Sequence, residues 1–201
     1  MLLANEGDPL IIYDSASPGK IQNDPCAQIH VRKLFYAEMH CHSANCFLIA
    51  APLLAQNAIP EWCRPLPRPE YKNLERIPVS NAWFEVYQPT RDVFAIYEPH
   101  QAEEVISYLI VGKQRALLFD TGMGMSDIKK LTAELTKLPI IVLNSHTHDD
   151  HVGGNWQFKT IYGIDTDFTR NNARGSREDA QAEITPDQIC GALPKGFDPK
   201  A

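Results

Sequence analysis

Apolar and polar positions along this chain change character near residue 81. Beyond that point, Ala82–Tyr87, Val93–Tyr97 and Val105–Val111 are short runs of β-branched and aromatic residues separated by turn-formers, a pattern that predicts strands. Ile128, Leu131, Leu135 and Leu138 recur at helical spacing, with Ser126 placed to cap the start. Pro139 ends that pattern, and Ile140–Leu143 reads as a short buried strand. Gly153 and Gly154 permit a tight bend before a brief helical stretch through Trp156, Gln157 and Phe158. Thr160–Ile164 reads as one more strand, residues 165–183 as charged and weakly helical, and Thr185–Pro186 as the start of a last short helix through Ile189 and Cys190. The elements predict an α/β (α+β) domain over 81–201, a mixed β-sheet with flanking helices.

Upstream the pattern is different. Met1–Asp24 is polar and rich in turn-formers, apart from the apolar run Leu10–Tyr13. Pro65, Pro67, Pro69 and Pro78 make 61–80 a Pro-rich linker or an arm lying on the surface. Residues 1–60 read as a leader. Within it, Arg32 and Lys33 precede the apolar stretch Cys46–Ala55, which ends on a small residue before Gln56 and resembles a bacterial secretory signal peptide. The alternative is a buried hydrophobic segment. The first reading implies a periplasmic or secreted protein, the second a cytoplasmic one.

Composition narrows the field. The chain has 201 residues, 44% of them hydrophobic, enough for one globular domain. A net charge of −6 gives no support to nucleic-acid binding, and no apolar run has the length of a transmembrane helix. Of five cysteines, Cys63 and Cys190 lie beyond Gln56, and they form one disulfide or remain two thiols. Met39–Cys46 sets His and Cys close together but lacks a second ligand pair at zinc-finger distance. His100 reads as a loop residue and Glu103–Glu104 as a solvated pair. Trp83, Phe84 and Tyr97 suit a groove or, more ordinarily, the core.

The strongest chemical signal is His146-Thr-His148-Asp-Asp150-His151. Three imidazoles and a carboxylate in about one turn of chain are explained by a metal ion and not by packing. In an extended segment leaving the strand, His146 and His148 point the same way, with Asp150 and His151 following as the chain turns. This donor set suits zinc first, with iron, manganese or nickel also accommodated.

His146-x-His148-x-Asp150-His151 followed by Gly153-Gly154-Asn155 resembles the metal-binding motif of the metallo-beta-lactamase superfamily. Arg115–Gly124, which contains Asp120-Thr121-Gly122, resembles the strand and turn ending in Asp-Thr-Gly that precede the first helix of that fold. The resemblance implies an αββα sandwich. It also implies that His146 and His148 bind one metal, that Asp150 and His151 bind a second, and that Asp120 holds the loop from behind. The implied cofactor is zinc, up to two ions, with iron or manganese as substitutes. Metal-bound hydroxide would attack an ester, amide or related bond of a small-molecule substrate, with Asp150 orienting it as the catalytic residue.

The match runs from about residue 81 to 164. The family takes its remaining ligands from later in the chain, and here no histidine follows His151. The expectation is therefore the first half of the sandwich, a zinc hydrolase with an incomplete site or a truncated, inactive fragment that binds metal weakly. A half sandwich leaves an apolar sheet face open, and self-association through it is expected. The substrate is not legible.

Overall fold

The computed structural model describes residues 10–14 and 59–198. The signal-like stretch 46–55, the Met39–Cys46 cluster and His30, His40 and His42 lie outside the described residues.

One sheet organises the molecule. Its strands are β1 (Leu10–Asp14), β2 (Glu75–Ile77), β3 (Glu85–Thr90), β4 (Val93–Tyr97), β5 (Ile106–Val111), β6 (Ala116–Phe119), β7 (Ile140–Leu143) and β8 (Thr160–Ile164). They lie in the order β1-β8-β7-β6-β5-β4-β3-β2. Pairing is antiparallel from β2 to β6 and between β1 and β8. It is parallel across β6, β7 and β8. Helices α1 (Ile128–Leu135), α2 (Asp149–Val152), α3 (Asp167–Asn172) and α4 (Arg177–Ala182) complete the α/β architecture. The apolar run near the N-terminus thus enters the sheet as β1, in the stretch that the sequence sets apart as a leader.

Strand alternation sorts side chains onto two faces. Val86, Ile96, Leu109, Leu118, Val142 and Ile161 share one face, fully buried against Ile128 and Leu131 of α1. Trp83 and Phe84 also belong to this core. The other face carries Tyr87, Ala95 and Tyr97 under Tyr71 of the Pro-rich arm, with ring centroids 5.5 and 5.2 Å from Tyr71. Arg68 anchors that arm: only 1% exposed, it pairs with Glu104 at 2.7 Å and donates to Pro99 O at 3.2 Å. Glu104 is therefore an ion-pair partner where the sequence suggests a solvated residue. Towards β5 the covering stops, and Tyr108 and Ile110 are exposed.

Two local expectations change, and of the two states left open for the cysteine pair one is found. The cap of α1 is Asp127, whose carboxylate accepts Lys130 N–H at 2.8 Å, while Ser126 Oγ accepts from Asn81. Residues 185–190 form a turn whose Ile189 bridges Gln101, because backbone groups there pair with the 100–102 loop: Cys190 N donates to His100 O at 2.8 Å. Cys63 and Cys190 are a disulfide, with Cα atoms 5.5 Å apart.

Candidate metal centre

Two parallel strands end side by side and aim their loops at one place. β6 delivers Asp120, Thr121 and Gly122, and β7 delivers Asn144, Ser145 and His146. Asp120 sits at φ +63°, a left-handed conformation that is rare for a residue with a side chain. Its carboxylate is fully engaged. Oδ1 accepts Ser145 N–H at 2.8 Å, and Oδ2 accepts Ser145 Oγ at 2.7 Å and His151 Nδ1 at 2.9 Å. This matches the expectation that Asp120 holds the loop from behind.

These contacts dictate where the imidazole protons lie. Ser145 gives its one proton to Asp120, so it must accept from His146 Nδ1, 2.9 Å away. His151 likewise donates from Nδ1 to Asp120. In their neutral forms both rings are left with Nε2 unprotonated, which is the state a metal requires. His151 Nε2 lies 3.2 Å from Asp150 Oδ2, and one donor atom from each of His146, Asp150 and His151 falls within 4.8 Å of the others.

His148 is placed differently. It is exposed, outside that group of three, with Nδ1 3.0 Å from His146 Nε2 and its ring packed edge-on against Phe168 at 5.2 Å. His148 is still extended, and the chain after it turns into α2, with His148 at the N-cap position and Asp149 and Asp150 in the first turn. Acidic residues are favoured there by the helix dipole, and the turn carries Asp150 and His151 round to face His146.

Ionisation in the cluster follows from crowding. Burial, and then the neighbouring His151 and His148, lower the His146 pKa. Burial also disfavours the charged form of His151, but its hydrogen bonds with Asp120 and Asp150 outweigh this and push it up to about 9. Asp150 is held below the usual carboxylate range: burial opposes the charge, and the bond with His151 overrides burial.

Glycines join the two loops. A Cβ on Gly124 would lie 2.1 Å from Gly153 O, and one on Gly154 would lie 2.4 Å from Thr121 O. Gly153 and Gly154 have ordinary helical or near-helical dihedrals, so the expected reason for them, a tight bend, is replaced by close backbone approach. Beneath them a buried polar network locks the metal loop. Thr121 Oγ1 donates to Asn155 Oδ1 at 2.9 Å, and Asn155 Nδ2 donates to Asn144 Oδ1 at 2.9 Å and to Ala173 O at 3.0 Å. Thr121 N donates to His151 O at 2.9 Å.

The sequence reading misses two residues here. Ser145 offers no spacing signal, since its role exists only once β6 and β7 pair. Glu98 lies just past the strand expected over Val93–Tyr97 and draws no reading of its own; it is fully buried, accepting Trp83 Nε1 at 2.6 Å and Met123 N at 2.9 Å, and so it pins the turn after Asp120.

Residues 102–179 match the family model of the metallo-beta-lactamase superfamily. Among solved structures, the chain is similar to a metallo beta lactamase from Erythrobacter litoralis, crystallised with beta mercaptoethanol in its active site. Identity is 18%, the TM-score is 0.34, and the match covers 40% of this chain and 39% of that one, so the chain spans about two fifths of that protein's length. No curated protein matches. The matched stretch contains Asp120, the whole of 146–151 and the Gly153–Asn155 segment, and over these residues the chain is similar to the metallo-beta-lactamase superfamily.

Proposed function

We propose that this chain carries a zinc-binding hydrolase centre built on His146, Asp150 and His151, with His148 as a further ligand reached by a change of rotamer. The observation that supports it is the hydrogen-bonded relay from His146 through Ser145 to Asp120 and back to His151, which occupies both Nδ1 atoms and leaves Nε2 of each neutral ring able to bind a metal. Ordinary surface histidines have no need of such a relay. A bound zinc, or iron or manganese in its place, supplies a Lewis acid and lowers the pKa of water toward neutrality. The chain's own residues do the rest. Asp120 and Ser145 fix the tautomers, and Asp150 accepts hydrogen bonds at the centre and is placed to orient a nucleophilic water against an ester, amide or related bond.

A second reading, metal binding without turnover, is favoured by one observation. Among the described residues all three donors of the group come from one turn of chain, leaving much of an ion's surface open. Metal analysis after dialysis and hydrolysis of p-nitrophenyl acetate, nitrocefin and bis(p-nitrophenyl) phosphate separate the two. The hydrolase reading expects zinc retained and turnover lost in His146→Ala, with Asp120→Asn lowering zinc affinity about 10- to 100-fold while the fold persists. Zinc retained with no turnover of any substrate leaves the second reading. No zinc in any preparation overturns both.

A further inference from the structure

The end of the sheet opposite the metal loop carries a feature that hydrolysis does not use. α1 finishes there and β7 and β8 begin there, and the three border an open pocket of about 490 Å³. Its floor is apolar, made by Leu138, Ile140 and Phe158. Its rim carries Lys129, Lys137 and Lys159, all exposed. Among the described residues that line it there is no carboxylate. Glu134, the one acid on α1, is turned to Ser80, whose N–H and hydroxyl both bind it.

We propose that this pocket binds a soluble anionic amphiphile, an aliphatic or aryl chain ending in a carboxylate or similar acid head. Volume and charge both point there. The space falls in the range of roughly 300–1,000 Å³ typical of small-molecule sites. Three ammonium groups gathered in a chain of net charge −6 form a local field opposite in sign to the whole protein. Two of them are held at the rim. Lys129 Nζ stands 5.9 Å above the centre of the Phe158 ring, and Lys137 Nζ donates to Ala133 O at the end of α1. An acid head meets the ammonium groups while its chain covers Leu138, Ile140 and Phe158, removing apolar surface from water.

The test is calorimetric titration of the full chain with sodium decanoate, with decyltrimethylammonium as the charge-reversed probe. The expected result is saturable binding of one decanoate per chain, weakened several-fold in 0.5 M salt. The double variant Lys137→Gln/Lys159→Gln should weaken it at least tenfold with an unchanged circular dichroism spectrum. His146→Ala should leave it unaltered, which separates this site from the metal centre. Absence of saturable binding, equal binding of the cationic probe, or undiminished affinity in the double variant would overturn the proposal. So would association of the chain with phosphatidylglycerol vesicles without any decanoate binding, since a flat anionic surface has no need of the pocket.

Discussion

Asp120 and Glu98 are two buried carboxyls in different surroundings. Asp120 accepts three hydrogen bonds, two of them from Ser145 and one from His151. Glu98 is fully buried, with two donors and, among the described residues, no ion-pair partner. Burial raises its pKa, the bonds from Trp83 and Met123 only partly offset this, and the result is about 7. The sign of the consequence is fixed. A carboxyl whose pKa is raised on folding binds its proton more tightly in the native state, so the stability it contributes is fully present below about pH 4.5 and is lost as pH rises through about 7. The loss is on the order of 3 kcal/mol for a shift of that size. Urea denaturation from pH 4.5 to 8 should show this decline in the parent protein and not in Glu98→Gln. Because His151 also titrates anomalously, the difference between the two proteins is the quantity to read. Parallel curves would show that Glu98 keeps an ordinary pKa.

Between elements, the contacts that matter are backbone against backbone. The turn after β6 and the segment after α2 approach so closely at Gly124 and Gly153 that a methyl group has no room, and Gly124 also sits at φ +73°. Gly191 has a comparable φ of +89° but nothing within 4 Å of its missing Cβ. Gly191→Ala should therefore cost about 1 kcal/mol, the strain of the left-handed backbone alone. Gly124→Ala should cost at least about 2 kcal/mol more and also weaken zinc binding, because the metal loop must move to relieve the clash. Equal losses in the two variants would mean that the loops part without penalty. This contact explains what was readable beforehand. Val93–Tyr97, Ile140–Leu143 and Thr160–Ile164 lie within the bounds that their alternation or apolar character sets, because burial on a sheet face is a local demand. His146, Asp150 and His151 were legible because metal donors are chemically rare at such spacing. The relay through Ser145, the buried Glu98 and the true reason for Gly153 and Gly154 were not. Each depends on which loop lies beside which, and pairing of β6 with β7 is a non-local event that no window of sequence reports. The helical turn of α2 and the short strand β2 escaped for a plainer reason: three or four residues carry too little periodicity.

At the scale of the whole molecule, the supports of the metal loop run outward to the disulfide. Asp120 is followed by the turn that Glu98 holds at Met123, and Glu98 begins the loop gripped from two sides. Arg68 of the arm binds Glu104 and Pro99 O, while Cys190 N binds His100 O and Ala102 N binds Gln188 O. Trp62 Nε1 donates to Asp187 O at 2.9 Å, joining arm to tail beside the bond between Cys63 and Cys190. That bond spans 127 residues of sequence, so the freedom it removes from the unfolded chain is large, about 5 kcal/mol on the chain-entropy estimate. Measured values usually fall below that bound, and Cys63→Ser should lower unfolding stability in urea by about 2–5 kcal/mol under oxidising conditions. Under reducing conditions the parent protein should fall to the level of the variant, which separates loss of the bond from loss of a well-packed side chain. The metal loop should respond less than the global stability does, because its own network of Thr121, Asn144 and Asn155 closes without the arm or the tail. If the centre binds zinc as proposed, its affinity in Cys63→Ser should thus remain within about tenfold of the parent's. A collapse of zinc binding together with stability would show that the centre has no local rigidity of its own. Two free thiols in the oxidised native protein, counted with a thiol reagent, would remove the bond itself.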